Sequence, residues 1–269
     1  MPKHQNPADR SRQVPYLNEE FLNSPDARAL RILAEYLEPL AHFRRQKVRD
    51  TVVFFGSARI RESGPLSRYY QDARELAKLL TQWSAQFDNA NYRFVICSGG
   101  GPGIMEAANR GASEAGGKTV GLNIGLPFEQ FPNPYITPEL SFEFHYFFMR
   151  KFWFAYLAKA LVVFPGGFGT MDEMFEILTL TQTQKLRKKM TIILYGSQYW
   201  KEVINFEALV KYGTISAGDL ELFQYVDDPA AAFELLKKEL SRYAMQVDTP
   251  EVPAIAQSRN PQKPEGERG

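Results

Sequence analysis

Two hydrophobic rhythms alternate along the chain. Short apolar runs at 51–55, 92–97, 118–123, 161–164 and 190–195 are rich in Val, Ile, Leu and Phe. Runs of this length with no polar alternation read as strands buried on both faces. Between them lie longer stretches with apolar residues three and four apart. At 66–87, Tyr69, Ala73, Leu76, Leu80 and Trp83 share one side. At 26–47, Leu30, Leu33 and Leu37 do so, with Ser24 and Pro25 as N-cap and first helical residue and Pro39 as an end or kink. Helices are also predicted from 104, over 149–160, from Met171 (Met174, Phe175, Leu178), over 200–212 and over 229–243. The stretch 141–148 alternates, with Phe142, Phe144, Tyr146 and Phe148 on one side, and predicts an extended segment; 223–226 predicts another.

Strand and helix in turn predict an α/β fold, a Rossmann-like doubly wound parallel sheet, with ligands at the carboxyl ends of the strands. Residues 25–245 form the expected single domain. Residues 1–24, with Pro2, Pro7 and Pro15, read as a mobile arm, and 246–269, rich in proline and charge, as a disordered tail.

Charge adds little, at 32 Lys and Arg against 31 Asp and Glu in 269 residues. No global basic field points to nucleic acid or to an anionic membrane. No apolar run nears the ~20 residues that span a bilayer. The first residues carry no signal-peptide apolar segment, and the single Cys97 sits in an apolar run. A cytoplasmic protein is expected.

The candidate chemistry sits where predicted strands give way to glycine. Gly56-Ser57, Gly99 to Gly103 and Gly166 to Thr170 all fall at such ends. A glycine loop that opens a helix aims free N–H groups and the positive end of the dipole at one point, which suits a phosphate. Neither longer loop has the Lys-Ser/Thr of a Walker A motif, and Glu106 stands where G-x-G-x-x-G needs its third glycine. A mononucleotide or sugar phosphate is therefore favoured over a dinucleotide. Thr170 and Glu173 have the spacing of a capping box, whose side chains satisfy backbone donors. The same residues could instead face a ligand. Arg150 and Lys151 open a helix, against its dipole, and such a local conflict points toward function. The three histidines show no metal-ligand spacing.

Pro165 to Glu173, PGGFGTMDE, resembles the PGGxGTxxE signature of the LONELY GUY (LOG) family, whose members were often labelled lysine decarboxylase-like. Gly99 to Ala112, Met149-Arg150-Lys151 and Gly56-Ser57 extend the resemblance, which covers roughly 51–243. It implies hydrolysis of the N-glycosidic bond of a nucleoside 5′-monophosphate, AMP or an N6-modified AMP such as a cytokinin riboside monophosphate, without metal or cofactor. It implies that Arg150 and Glu173 are catalytic and that Gly166, Gly167, Phe168, Gly169 and Thr170 hold the phosphate. Ser57, Gly100, Gly101, Glu129, Lys151 and Thr179 would complete the substrate site. The sequence departs from the family in Tyr146-Phe147-Phe148-Met149 before Arg150, where histidine is frequent, and in Gly101-Pro102-Gly103-Ile104. Both lie near the expected base pocket and leave the base open.

Two other readings stand beside this one. The same fold could bind a nucleotide or phosphate without catalysis. A pyridoxal-phosphate decarboxylase needs a Schiff-base lysine, and no lysine is placed for one. The aromatic stretch Phe152, Trp153, Phe154 and Tyr156 carries more apolar surface than one face usually exposes, and a homodimer or larger assembly is expected.

Overall fold

The computed structural model describes residues 14–87, 91–125, 131–186 and 189–244. Seven parallel strands form one sheet: β1 (Thr51–Phe55), β2 (Val95–Ser98), β3 (Thr119–Ile124), β4 (Ser141–Phe144), β5 (Ala158–Val163), β6 (Thr191–Tyr195) and β7 (Gln224–Val226). Their spatial order is β4-β3-β2-β1-β5-β6-β7. The chain builds outward from β1 to one edge, returns to lay β5 against β1, and builds outward again. This is the doubly wound α/β architecture, and its switch point lies between β1 and β5.

Alternate residues of each strand serve opposite helical layers. Val52 and Phe54 pack with α3 (Ser67–Ser84), α4 (Ile104–Glu114) and α9 (Pro229–Ala244). Val53 and Phe55 pack with α2 (Arg28–Arg45), α5 (Phe147–Leu157) and α6 (Phe168–Gln182). Both faces of the sheet are thus covered, which is why its strands read as unbroken apolar runs. On α3 Tyr70 and Trp83 are buried, with Tyr69 only half-buried. Cys97 is a buried free thiol in the second of these layers.

Several local expectations need correction. The strand at 141–148 ends at Phe144, although the buried side continues to Tyr146; Phe147 and Phe148 already belong to α5 and are half exposed. The cause is distant in sequence. Glu35 of α2 accepts from the N–H groups of His145 (2.8 Å) and Tyr146 (3.3 Å), so a carboxylate caps the start of α5. The stretch 200–212 is two helices, α7 (Ser197–Val203) and α8 (Phe206–Lys211), because the Asn205 side chain accepts from Ala208 N–H and starts a new one. α2 runs through Pro39. It packs through Ile32, Tyr36, Leu40 and Phe43, while Leu30, Leu33 and Leu37 face solvent. Two apolar stripes compete on this helix, and the chosen one meets the aromatics of α5. Tyr36 stacks near Trp153 and Phe152, so much of that aromatic surface is core. Trp153 and Phe154 are buried.

Within the stretch read as an arm, Pro15–Leu17 is a 3-10 turn and α1 (Glu19–Asn23) is helical. Arg31 donates to the carbonyls of Leu22 and Ser24, tying this segment to α2. The tail at 246–269 lies outside the described residues. Among those described, no helix is long and apolar enough to cross a membrane.

Candidate active site

The site is built at the switch point by three loops. Ser57 N–H donates to the Pro165 carbonyl at 3.0 Å, and Ile104 N–H donates to the Ser57 carbonyl at 3.1 Å. The turn after β1 therefore ties the loop after β5 to the start of α4. The Ser57 hydroxyl accepts from Arg59 N–H.

Beyond β5 the chain makes a tight turn into α6. Gly167 is the N-cap, and no side chain caps the helix. Thr170 lies inside the first turn, so the capping box does not form. The N–H groups of Phe168, Gly169 and Thr170 have no acceptor among the described residues. They are the orphan donors of a helix start, aimed outward. A Cβ at Gly167 or Gly169 would meet nothing within 4 Å, whereas one at Gly166 would stand 2.6 Å from Thr170 Cβ. Gly166 is required by packing, and the other two glycines border open space. Phe168 is 93% exposed. Tyr199 of α7 donates its hydroxyl to the Gly166 carbonyl at 2.8 Å and fixes the loop from behind.

Glu173 sits one turn further, 6% exposed. Arg150 Nη1 is 3.9 Å from Glu173 Oε1. Burial raises the Glu173 carboxyl to about 7, against the opposing pull of Arg150 and Lys151. Burial likewise lowers Arg150, against Glu173, from a range so high that it stays charged. Arg150 is held in place from two sides: its Nε donates to the Leu122 carbonyl at 2.9 Å, and its guanidinium lies 5.1 Å from the Phe154 ring centroid. A carboxyl poised near neutrality beside a fixed cation can serve as an electrostatic partner or as a base. Lys151 is drawn elsewhere. Its ammonium meets Asp172 at 2.8 Å and Glu176 at 2.9 Å, both on α6.

The loop after β2 reaches Arg150 from the opposite side; a Cβ at Gly99 would stand 2.9 Å from Arg150 Nη2. A buried polar network shapes this loop. Asn133 donates its amide to the carbonyls of Gly100 and Gly101 and to Asn109 Oδ1. Ser98 donates to Asn109 Oδ1, and Gly100 N–H donates to Ser98 Oγ. Gly100 and Gly103 take φ of +74° and +73°, which only glycine adopts without strain.

The structure thus brings the loops that carry Ser57, Gly100, Gly101 and Gly166 to Thr170 together at the switch point, with Arg150 and Glu173 beside them. Lys151 stands at their border. Thr179 does not join them within one subunit. It lies roughly 16 Å along α6 from Phe168, and its hydroxyl donates to the Phe175 carbonyl. Glu129 lies outside the described residues. Sequence reasoning missed Glu35, Asn109, Asn133 and Tyr199. Asn133 lies in a proline-rich loop, where a buried asparagine has no periodic signal. The other three act through contacts that local spacing does not encode.

Residues 105–236 match the family model described as "Possible lysine decarboxylase". The cytokinin riboside 5′-monophosphate phosphoribohydrolase LOG3 of Arabidopsis thaliana is 28% identical over 204 residues, 74% of this chain and 85% of that protein. The cytokinin riboside 5′-monophosphate phosphoribohydrolase of Rhodococcoides fascians is 29% identical over 114 residues, 42% of this chain and 56% of that one. Among solved structures, a structural-genomics crystal structure aligns with TM-score 0.50 at 21% identity, over 70% of this chain and 99% of that one. The molybdenum cofactor binding protein of Rippkaea orientalis aligns with TM-score 0.50 at 17% identity, over 71% and 97%. These two likenesses concern the fold. By the family model and the named relatives together, the chain is similar to the LOG phosphoribohydrolases.

Proposed function

We propose that the protein hydrolyses the N-glycosidic bond of a nucleoside 5′-monophosphate, releasing the free base and ribose 5-phosphate. The observation that carries this reading is the buried Glu173 carboxyl beside Arg150, one turn from a helix start whose donors are unfilled. The 5′-phosphate sits on the N–H groups of Phe168, Gly169 and Thr170. The ribose then lies over Glu173. As the C1′–N bond breaks, positive charge grows on the sugar ring, as in glycoside hydrolysis, and the ionised Glu173 stabilises it. A water adds to C1′ and gives up a proton, and the departing base takes one. Arg150 binds phosphate or ribose oxygens and favours the ionised form of Glu173. AMP, or an AMP modified at N6, is the substrate class, in keeping with the names of the relatives.

The decarboxylase label finds no support in Lys151. Although burial opposes it, Asp172 and Glu176 raise its pKa, and a Schiff-base lysine needs the reverse. A homodimer or higher oligomer is part of this proposal. Its support is the exposed Leu30, Leu33 and Leu37 on α2 and the exposed Phe168 and Phe175 on α6. Sedimentation should give at least twice the chain mass of 30.7 kDa.

The deciding experiment incubates the protein with AMP and its prenylated form and measures free base by chromatography. Base release with equimolar ribose 5-phosphate is expected. Tight nucleotide binding without release would replace the hydrolase by a binding protein.

A further inference from the structure

We propose that Asn123 reads the nucleobase: its carboxamide pairs with an adjacent acceptor and donor on the base, as N7 and the 6-amino group of adenine present them. This rests on the hydrolase reading and assigns the part of that site which recognises the base.

Asn123 is the penultimate residue of β3 and only 7% exposed. Its Nδ2 is buried with no hydrogen-bond partner. Buried amide donors are nearly always paired, and an unmet one is costly. The contrast with its neighbours is sharp. Asn109 donates to the Val120 carbonyl and Asn133 to three acceptors, all within the same loop cluster. The cluster satisfies two of its three asparagine amides and leaves the donor of the third unused.

The unused amide lies against Gly100, in the β2 loop whose Gly99 borders Arg150. Arg150 Nε donates to the carbonyl of Leu122, the preceding residue, and the far side of that guanidinium faces Glu173. The backbone next to Asn123 therefore holds the guanidinium that meets the carboxyl placed at C1′. The β2 loop is moulded to the amide: a Cβ at Gly100 would fall 2.6 Å from Asn123 Oδ1. Any side chain at 100 would displace the amide.

Position selects which end of the substrate it meets. The helix start that suits the phosphate follows β5, and β3 lies three strands away across β1 and β2. At the usual strand spacing that is roughly 14 Å. The group reaching β3 is the end remote from the phosphate, which is the base. A carboxamide offers a donor and an acceptor side by side, and this suits an aminopurine edge. The terminal amide torsion is soft, so either order of the two groups is accessible.

The test is a calorimetric titration of AMP, ribose 5-phosphate and 7-deaza-AMP into Glu173→Gln protein, with and without Asn123→Ala. AMP affinity should fall about tenfold on removal of Asn123. Ribose 5-phosphate affinity should not change. 7-Deaza-AMP should bind weakly to both proteins, so that loss of N7 and loss of Asn123 are not additive. The melting temperature should not drop, since the donor bonds nothing in the free protein. Asn123→Leu, which keeps the shape, should repeat the result if alanine lets the loop collapse. Unchanged AMP affinity, an equal loss for ribose 5-phosphate, or additive losses would each overturn the assignment. Base release by the unmodified protein is followed alongside. If release is absent but the binding pattern holds, the hydrolase reading fails and Asn123 remains a base reader. If release occurs and the pattern is absent, the reverse is true.

Discussion

The glycine loops after β2 and β5 are similar in composition and opposite in how they use their backbone. The β2 loop turns its polar groups inward: Gly100 and Gly101 carbonyls are taken by Asn133, and Gly100 N–H by Ser98. The β5 loop leaves the first donors of α6 unfilled, with open space at Gly167 and Gly169. A closed loop can shape a wall. Only an open one can bind an anion through its backbone. The difference divides the cleft into a rigid side, where Asn123 and the β2 loop stand, and an anion-receiving side, where Glu173 stands.

The largest expected effect breaks the open side. Glu173→Gln should keep the fold and lower base release by about 10²–10⁴-fold, the range of a positioned acid–base group. Arg150→Ala should cost a comparable factor. Arg150→Lys should recover little of it, because an ammonium cannot span Leu122 and Glu173 as the fork does. Initial-rate kinetics on purified variants decide this. Near-normal turnover of Glu173→Gln would remove the carboxyl from the chemistry.

Titration sharpens the same side. Glu173 has an ordinary value of 4.5 and is raised by burial to about 7. Below pH 4.5 it is neutral whether the chain is folded or not. Between 4.5 and 7 the unfolded chain ionises while the folded one keeps its proton. Stability relative to a Gln variant is therefore lost as pH rises through this window, by on the order of 3 kcal/mol. Glu173→Gln should melt higher than the parent at pH 8, and the gap should close near pH 4. Activity should move the other way. If the ionised form stabilises the sugar cation, kcat/KM rises with pH to a midpoint near 7. A gap in melting temperature independent of pH would show that burial does not hold the proton.

The closed side should respond in stability before chemistry. Asn133→Ala strips donors from two carbonyls and from Asn109, all buried. A cost of about 1–3 kcal/mol is expected in denaturant unfolding. Its effect on kcat/KM should be smaller than that of Glu173→Gln, because the loop shapes the wall and touches no reacting atom.

The legibility of the sequence divides along the same line. The strands, the doubly wound order and the glycine turns could be read because burial on both faces writes unbroken apolar runs. The family resemblance supplied the pairing of Arg150 with Glu173; nothing in the spacing of 23 residues would have. The capping box failed because the N-cap is Gly167, three residues before Thr170. Spacing locates a box but not the first residue of a helix. The stripe on α2 failed for a related reason. Leu30, Leu33 and Leu37 have the right period, yet Ile32, Tyr36 and Leu40 have it too, and only the aromatics of α5 decide between them. Glu35, Tyr199 and Asn133 act across the fold, so their roles appear only when the chain is closed.

The smallest effect separates the two glycines of the open loop. Gly166→Ala forces a methyl to within 2.6 Å of Thr170 Cβ, and backbone or side chain must move. A destabilisation of about 1–3 kcal/mol is expected from such overpacking. Gly167→Ala places its methyl in empty space, where stability should change by less than about 0.5 kcal/mol. If that space receives the phosphate, the same methyl should raise KM for AMP and weaken ribose 5-phosphate without moving the melting temperature. Adenine alone should inhibit both proteins equally. Unchanged affinity for ribose 5-phosphate in Gly167→Ala would move the phosphate off this helix start and remove the distinction between an open and a closed loop.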